Sequence, residues 1–395
     1  MFKTLTLWVP RIVALTERLP WAMPLFGFGS GLASFFLVER KEEIAQLIAI
    51  LMLASWCWLL VEKFLRRYVS NRFGVQLPPA LMNYFAQLVH QESLFFIIPF
   101  FFITTAWNSG QMLFTGLLLV SAFISIVDPL YFRWLAPRRW LYFIFHGATL
   151  FAVLLTALPI IFQLPTPKTY IWSLGIALAI TLPSVAIAIP WRWWQRGCAV
   201  IALAVIASAS AYILRPWVPP ATLWLTEVAI TDHIDSDNRT PENTLKTISP
   251  EQLRQGLYAY TAIHAPRGLN ERIYHEWQLN GKQVDKVALD INGGRAAGYR
   301  AWSHKMNFPE QSIGRWQIRV VTEVNQVIGV LRFRVVEGAA EEFQAASSIA
   351  LSTSSAASSA AIASSAPALT TPDGVMKEQL LELTGEHETS LNPAR

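Results

Sequence analysis

Seven apolar segments crowd the first 214 residues, at about 21–38, 43–62, 93–107, 110–127, 141–164, 170–189 and 197–214. Most approach the ~20 residues that a helix needs to cross the hydrocarbon of a bilayer. Inside hydrocarbon a backbone must hydrogen-bond to itself. Residues 21–214 are therefore expected to form an α-helical polytopic membrane bundle of about seven spans. The stretch 93–127 is too long for one helix, and "NSG" at 108–110 is turn chemistry at its middle. It predicts two short helices in a tight hairpin. The opening residues 1–20, "MFKTLTLWVPRIVALTERLP", mix apolar residues with Lys3, Arg11 and Arg18 and read as an interfacial helix. No small-residue cleavage site precedes "ERKEE", so a cleaved signal peptide is not expected.

Orientation is set by where Lys and Arg fall. Twelve lie at the N-terminus and in the loops 63–72, 128–140 and 190–196, whereas the alternate loops carry only Arg40, Lys41 and Lys168. Basic loops stay on the cytoplasmic side. The N-terminus is thus expected inside, and an odd number of spans sends the chain beyond residue 214 to the outside. Charge on 15% of all positions, against roughly 25% in an ordinary soluble domain, is a deficit concentrated before residue 215. The net charge of +5 is therefore positional, and an outward domain argues against nucleic acid as a partner.

From about 221 the pattern becomes alternation. "TLWLTEVAIT", "LYAYTAIH", "RIYHEWQLN", "KVALDIN", "GYRAWSHK", "RWQIRVVTEV" and "VIGVLRFRVV" are short and rich in β-branched and aromatic residues. Asn280-Gly281 is a strong hairpin signal, and Ser249-Pro250 reads as the cap and first position of a short helix. About seven strands over 221–337 fit an all-β, immunoglobulin-like sandwich. Trp277, Gly314, Trp316 and Phe333 are its expected structural core, with Ile318, Val320, Leu331 and Val335. In "YRAWSHK", Ser303 and His304 point to opposite faces, which excludes a Ser-His dyad between them. His275 shares a face with Ile273 and Trp277 and reads as a hydrogen-bonded residue beside the core.

"HEWQLNG", "YRAWSHK" and "GRWQIRVVTEVNQVIGVLRFRV" resemble an uncharacterised bacterial β-domain family, a domain of unknown function that ends envelope or membrane proteins. Its theme is a Trp before a short turn, a Trp-Ser pair, then Gly-x-Trp and a closing hairpin. These fall here on Trp277, Trp302-Ser303, and Gly314 with Trp316. The membrane half is similar to a companion family of equally unknown function. The resemblance implies a fold and a bacterial envelope location. It supplies no activity, and no cofactor.

Binding candidates come from register. Pairing the last hairpin across Asn325-Gln326 sets Arg319 opposite Arg332 and Gln317 opposite Arg334. Like charges placed opposite one another are destabilising. Arg315, Arg319, Arg332 and Arg334 therefore form a candidate site for carboxylate or phosphate groups, whose shape the guanidinium fork matches. Trp302 is a candidate stacking surface for a sugar. The bland alternative is a solvated face balanced by Glu276, Glu323 or lipid. "DHIDSDN" at 232–238 is oxygen-rich but lacks the EF-hand pattern and reads as a solvated loop.

In the bundle, Glu62, His90, Glu92, Asp128 and His146 are expected near one end of the spans. His90, Asp128 and His146 are weak candidates for a divalent metal or a proton relay. Gly27 and Gly31 permit close helix packing. Cys57 and Cys198 read as small buried hydrophobes, with no Cys-ligated site available.

Residues 338–372 are Ala/Ser/Thr-rich and expected to be a disordered linker. Residues 373–395 hold a short amphipathic segment suited to a partner or a membrane. The sequence points to a non-enzymatic inner-membrane protein of multi-pass topology. Its periplasmic β-sandwich is expected to bind an anionic glycan, lipid headgroup or envelope protein. Alternatives are an integral-membrane enzyme or transporter using the His/Asp/Glu layer, and an architectural subunit of a membrane complex. Nothing in it fixes an oligomeric state.

Overall fold

The computed structural model describes Gly29 and residues 46–57, 79–188 and 191–337. The expected interfacial helix, the first span with Gly27 and Gly31, Glu62, the basic stretch 63–72 and both C-terminal segments lie outside the described residues. A helical region comes first: α1 (Gln46–Cys57), α2 (Pro79–Thr104), α3 (Gln111–Ile126), a π-helical turn (Pro129–Leu135), α4 (Arg139–Phe162), α5 (Thr166–Ala188) and α6 (Trp193–Ile213).

Four helices among the described residues are long and apolar enough to cross a membrane, at Tyr84–Thr104, Arg139–Phe162, Thr166–Ala186 and Trp193–Ile213. They become five if α3 and the π-helical turn count as one span. Seven spans are not reached among the described residues, which leave out the expected first span and the end of the second. At 1.5 Å per residue, the described part of α1 covers only about 18 Å. The chain also bends by 98° where Asp128-Pro129 interrupts α3.

The hairpin at 105–110 forms as expected, and Gly110 is where the turn meets Trp217. A Cβ on Gly110 would lie 2.8 Å from that indole. The span expected to begin at 93 starts earlier, because α2 runs from Pro79. The polar residues that disguised its first half, Gln87, His90 and Gln91, are buried against the other helices and hydrogen-bonded there.

Exposed tryptophans mark both ends of the bundle. Trp107 and Trp217 stand at one, and Trp134, Trp140, Trp191, Trp193 and Trp194 at the other. From Trp140 to Phe162 is about 33 Å of helix. Cys57 and Cys198 are exposed on helix surfaces rather than buried, because each sits on a face turned away from the other helices.

The rest of the described chain forms two sheets. The first has the order β1 (Trp224–Thr231), β5 (Leu257–His264), β8 (Tyr299–Lys305). The second runs β4 (Thr247–Ile248), β10 (Val327–Val335), β9 (Gly314–Thr322), β6 (Asn270–Leu279), β7 (Lys282–Asn292). A two-residue pair, β2 (Ile234–Asp235) with β3 (Thr240–Pro241), belongs to neither. Both large sheets feed one core, with Ile230, Leu257 and Ile263 from the first and Ile273, Trp277, Ile318 and Leu331 from the second. Trp316 and Phe333 stack in it with ring centroids 5.8 Å apart. The short helix α7 (Pro250–Gln255) begins as expected, with Ser249 Oγ accepting the Gln252 N–H. Asn280 (φ 49°) and Gly281 (φ 85°) make the tight β6–β7 turn that Asn-Gly favours.

An arginine face, a sealed network and an open joint: the candidate functional site

The β9–β10 hairpin turns through three residues, Glu323, Val324 and Asn325, with Asn325 left-handed (φ 62°). A bulge lies just beyond, between Val327 and Gly329. The expected two-residue turn is therefore wrong, and the register moves by two. Arg319 faces Val330, Arg332 faces Gln317, and Arg334 faces Arg315. A shift of two leaves every side chain on its expected face, so the arginines still share the outer side of the second sheet.

They are not equivalent there. Arg319 lies 3.7 Å from Glu276, which is 8% exposed and also held by Lys286 at 3.0 Å. Arg315, Arg332 and Arg334 are exposed and form no ion pair or side-chain hydrogen bond among the described residues. Gln317 and Gln278, joined at 2.7 Å, lie beside them. Trp302 is not near this face. It belongs to the first sheet, half-buried on that sheet's outer side with Ala229, Tyr260 and Ala262. The aromatic ring on the arginine side is Tyr274, already covered by the Lys286 ammonium at 4.4 Å.

Between the sheets sits a sealed network. Ser303 and His304 point apart as expected, and His304 stacks on Tyr258 at 4.0 Å. Ser303 instead meets His275 from the facing sheet, Oγ to Nδ1 at 2.9 Å. One pattern satisfies every group: Trp277 Nε1–H donates to Ser303 Oγ, whose hydroxyl donates to His275 Nδ1. His275 Nε2–H then donates to Thr261 Oγ1, which donates to the Ala301 carbonyl. Burial pushes His275 down to about 3, so the ring is neutral. With His275, Trp277 and Thr261 at 0% exposure, no substrate reaches this Ser-His contact, and its chemistry is structural.

The joint between the β domain and the bundle is built differently. Gln111 Nε2 at the start of α3 donates to the Val327 carbonyl at 2.9 Å, and Gln326 Nε2 donates to the Val218 carbonyl at 2.7 Å. Glu271 Oε2 accepts the Thr166 N–H at 2.7 Å. Yet Glu271 Oε1, Gln326 Oε1, and Arg215 Nε and Nη2 are buried without a hydrogen-bond partner among the described residues. A small cleft lined by Thr166, Thr169, Thr222 and Gln326 among others opens at Gln326.

Inside the bundle the structure brings His90 and His146 into contact, Nε2 to Nδ1 at 3.0 Å. Tyr131 of the π-helical turn holds the other His90 nitrogen at 3.0 Å, and Trp56 packs against both imidazoles. Asp128 is not joined to them; its carboxylate accepts from Gln87 at 2.7 Å. No group of three His, Cys, Asp or Glu arranged to hold a metal occurs among the described residues. The expected trio of His90, Asp128 and His146 is thus a histidine pair and a separate carboxylate. The 232–238 loop closes on itself, Asp235 accepting from the Asp237 N–H and Asn238 Nδ2.

Sequence reasoning missed Glu271, Gln326 and Gln111, since contacts between domains leave no periodic signal. The tryptophan rings were available to it, as Trp clustered at the ends of apolar segments.

The architecture is that of a helical region with several membrane-length apolar helices, carrying a β domain on one end. The chain belongs to a family of unknown function (DUF5924), whose profile matches residues 2–259. Residues 270–335 match a second profile, a protein of unknown function (DUF2914). That second match is narrower than the expected 221–337. The first match ends inside β5 and the second begins at the start of β6, so the boundary between them runs through one hydrophobic core. Neither part completes the β domain alone: β8 closes the first sheet and β4 borders the second. No curated protein matches the chain.

Proposed function

We propose that the chain is a multi-pass protein of a bacterial cytoplasmic membrane whose β domain stands outside the cytoplasm and binds an anionic glycan. The observation that carries this reading is the arginine face, where exposed Arg315 and Arg334 oppose each other directly with Arg332 beside them. Such a pairing costs stability on its own, and an anion bound bidentately offsets it.

Orientation rests on the described loops. Arg133, Arg138, Arg139, Arg192 and Arg196 lie at the end of the bundle remote from the β domain, which the positive-inside rule assigns to the cytoplasm. The tryptophans at both ends suit two membrane–water interfaces. An immunoglobulin-like topology is supported by strand order. Lettered in chain order as A (β1), B (β5), C (β6), C′ (β7), E (β8), F (β9) and G (β10), the strands divide into A-B-E and G-F-C-C′.

Distance favours a polymer over a lipid headgroup. Val327 touches the bundle, and at about 3.3 Å per residue Arg334 lies up to about 23 Å further along the strand. The test is a titration of full-length protein in nanodiscs with a polyuronate at two salt concentrations. Saturable, salt-sensitive binding lost on R315Q/R332Q/R334Q supports the reading. Binding unchanged in that variant contradicts it.

A second reading, chemistry or transport in the bundle, rests on the contact between His90 and His146. Loss of cellular function in H90A and H146A at normal expression would favour it.

A further inference from the structure

Three observations meet at Glu271, the second residue of β6. Its side chain is almost wholly withdrawn from water, with the residue 3% exposed. One oxygen holds the backbone N–H of Thr166 at 2.7 Å, and Thr166 is the first residue of α5, where backbone donors lack partners within the helix. The other oxygen is buried with no partner among the described residues. The fastenings contributed by Gln111 and Gln326 are amide to carbonyl and cannot change charge. Glu271 can.

We propose that Glu271 is a proton-operated latch between the two halves of the protein. Protonated, it fastens β6 to the start of α5; ionised, it leaves for water and releases the β domain at that point.

The surroundings set the direction. A carboxylate is welcome at a helix N-terminus, but a buried oxygen with no donor loses its hydration without compensation. Glu323, on the β9–β10 turn, adds a like charge. Cations stand on the neighbouring elements. Arg215 acts on Glu323 from the turn after α6, Arg272 is engaged by Asp290 at 2.7 Å, Lys168 is exposed on α5, and Arg267 stands on the turn before β6.

Burial first, then Glu323, raise Glu271 from 4.5 to about 7, against the opposing pull of the Thr166 hydrogen bonds. A raised carboxyl favours the closed joint fully below about 4.5, and that preference is lost as pH rises through about 7. Across this window the closing equilibrium weakens by roughly two orders of magnitude.

The experiment is hydrogen–deuterium exchange of the full-length protein in nanodiscs from pH 4.5 to 8, corrected for intrinsic rates. Peptides covering 163–172 and 268–274 report the latch, and β9 reports the domain. The expected result is protection of the latch peptides that falls at least tenfold across the window while β9 stays protected. E271Q, neutral with an acceptor oxygen retained, stays protected throughout, and E323Q shifts the transition to lower pH. A wild-type profile that is flat, or one that E271Q reproduces, overturns the proposal. So does loss of β9 protection in parallel, which would assign the pH effect to unfolding.

Discussion

His275 and Glu271 lie four residues apart on the same face of β6, both buried and both titratable, yet they are built in opposite ways. His275 is in mid-core, where Ser303 and Thr261 partner its two ring nitrogens, Ser303 also accepting from Trp277 Nε1–H and Thr261 also donating to the Ala301 carbonyl. Glu271 is at the end of the strand, where the chain meets a helix terminus and one oxygen is left bare. A closed network rigidifies a core and gives a substrate nothing to use. An open one stores a preference that pH or a ligand can change. The Ser-His contact in this protein therefore belongs to folding, and the bare Glu271 oxygen at the joint is the one on which the proposed latch rests.

The contrast can be broken from either side. The largest effect is expected from W277A, which removes a wholly buried indole and the donor that orients Ser303. It should cost about 3–5 kcal/mol, read as a lowered unfolding midpoint of the full-length protein. S303A strands both His275 Nδ1 and the Trp277 N–H and should cost about 1–3 kcal/mol. A loss below about 0.5 kcal/mol would mean that the network is not closed as described.

Acid gives the third contrast. His275 has a folded value depressed to about 3 from 6.5, so its contribution is intact above about 6.5 and declines as pH falls toward 3. Stability of the β domain should drop over that range in the wild type and less in H275Q. Glu271 acts in the opposite sense, so E271Q should flatten the response of the joint alone. The smallest change in stability is expected from R332Q. An exposed side chain with no partner should alter the unfolding free energy by less than about 0.5 kcal/mol while weakening polyanion binding.

The sequence carried this architecture unevenly. Alternation was enough to sort Ile273, Trp277, Ile318 and Phe333 inward and the arginines outward, because a face survives an error of two in register. The register itself depended on Asn325 adopting a left-handed conformation and on a bulge at Val327, and neither is written in hydrophobic pattern. The start of α2 was hidden because Gln87, His90 and Gln91 look like loop residues until their partners are known. Cys57 and Cys198 read as core for a related reason: an apolar neighbourhood in sequence does not say which helix face meets lipid. Trp302 points outward as a stacking candidate must, but strand pattern does not say which sheet it joins, and sheet order places it on the other side of the domain from the arginines. His90 and His146 were placed at similar depth by counting, but their contact required the packing of α2 on α4.

The proposed function requires the arginine face to be outside the cytoplasm and open to an anion. Both can be read at once from a single cysteine, Gln317→Cys, in a background with Cys57→Ser and Cys198→Ser. Intact spheroplasts expressing it would be treated with a membrane-impermeant maleimide, with and without a polyuronate. The expected result is labelling without permeabilisation that the polyanion slows and that R315Q/R332Q/R334Q restores. Labelling only after lysis would contradict the orientation, and labelling that the polyanion leaves unchanged would contradict the binding face.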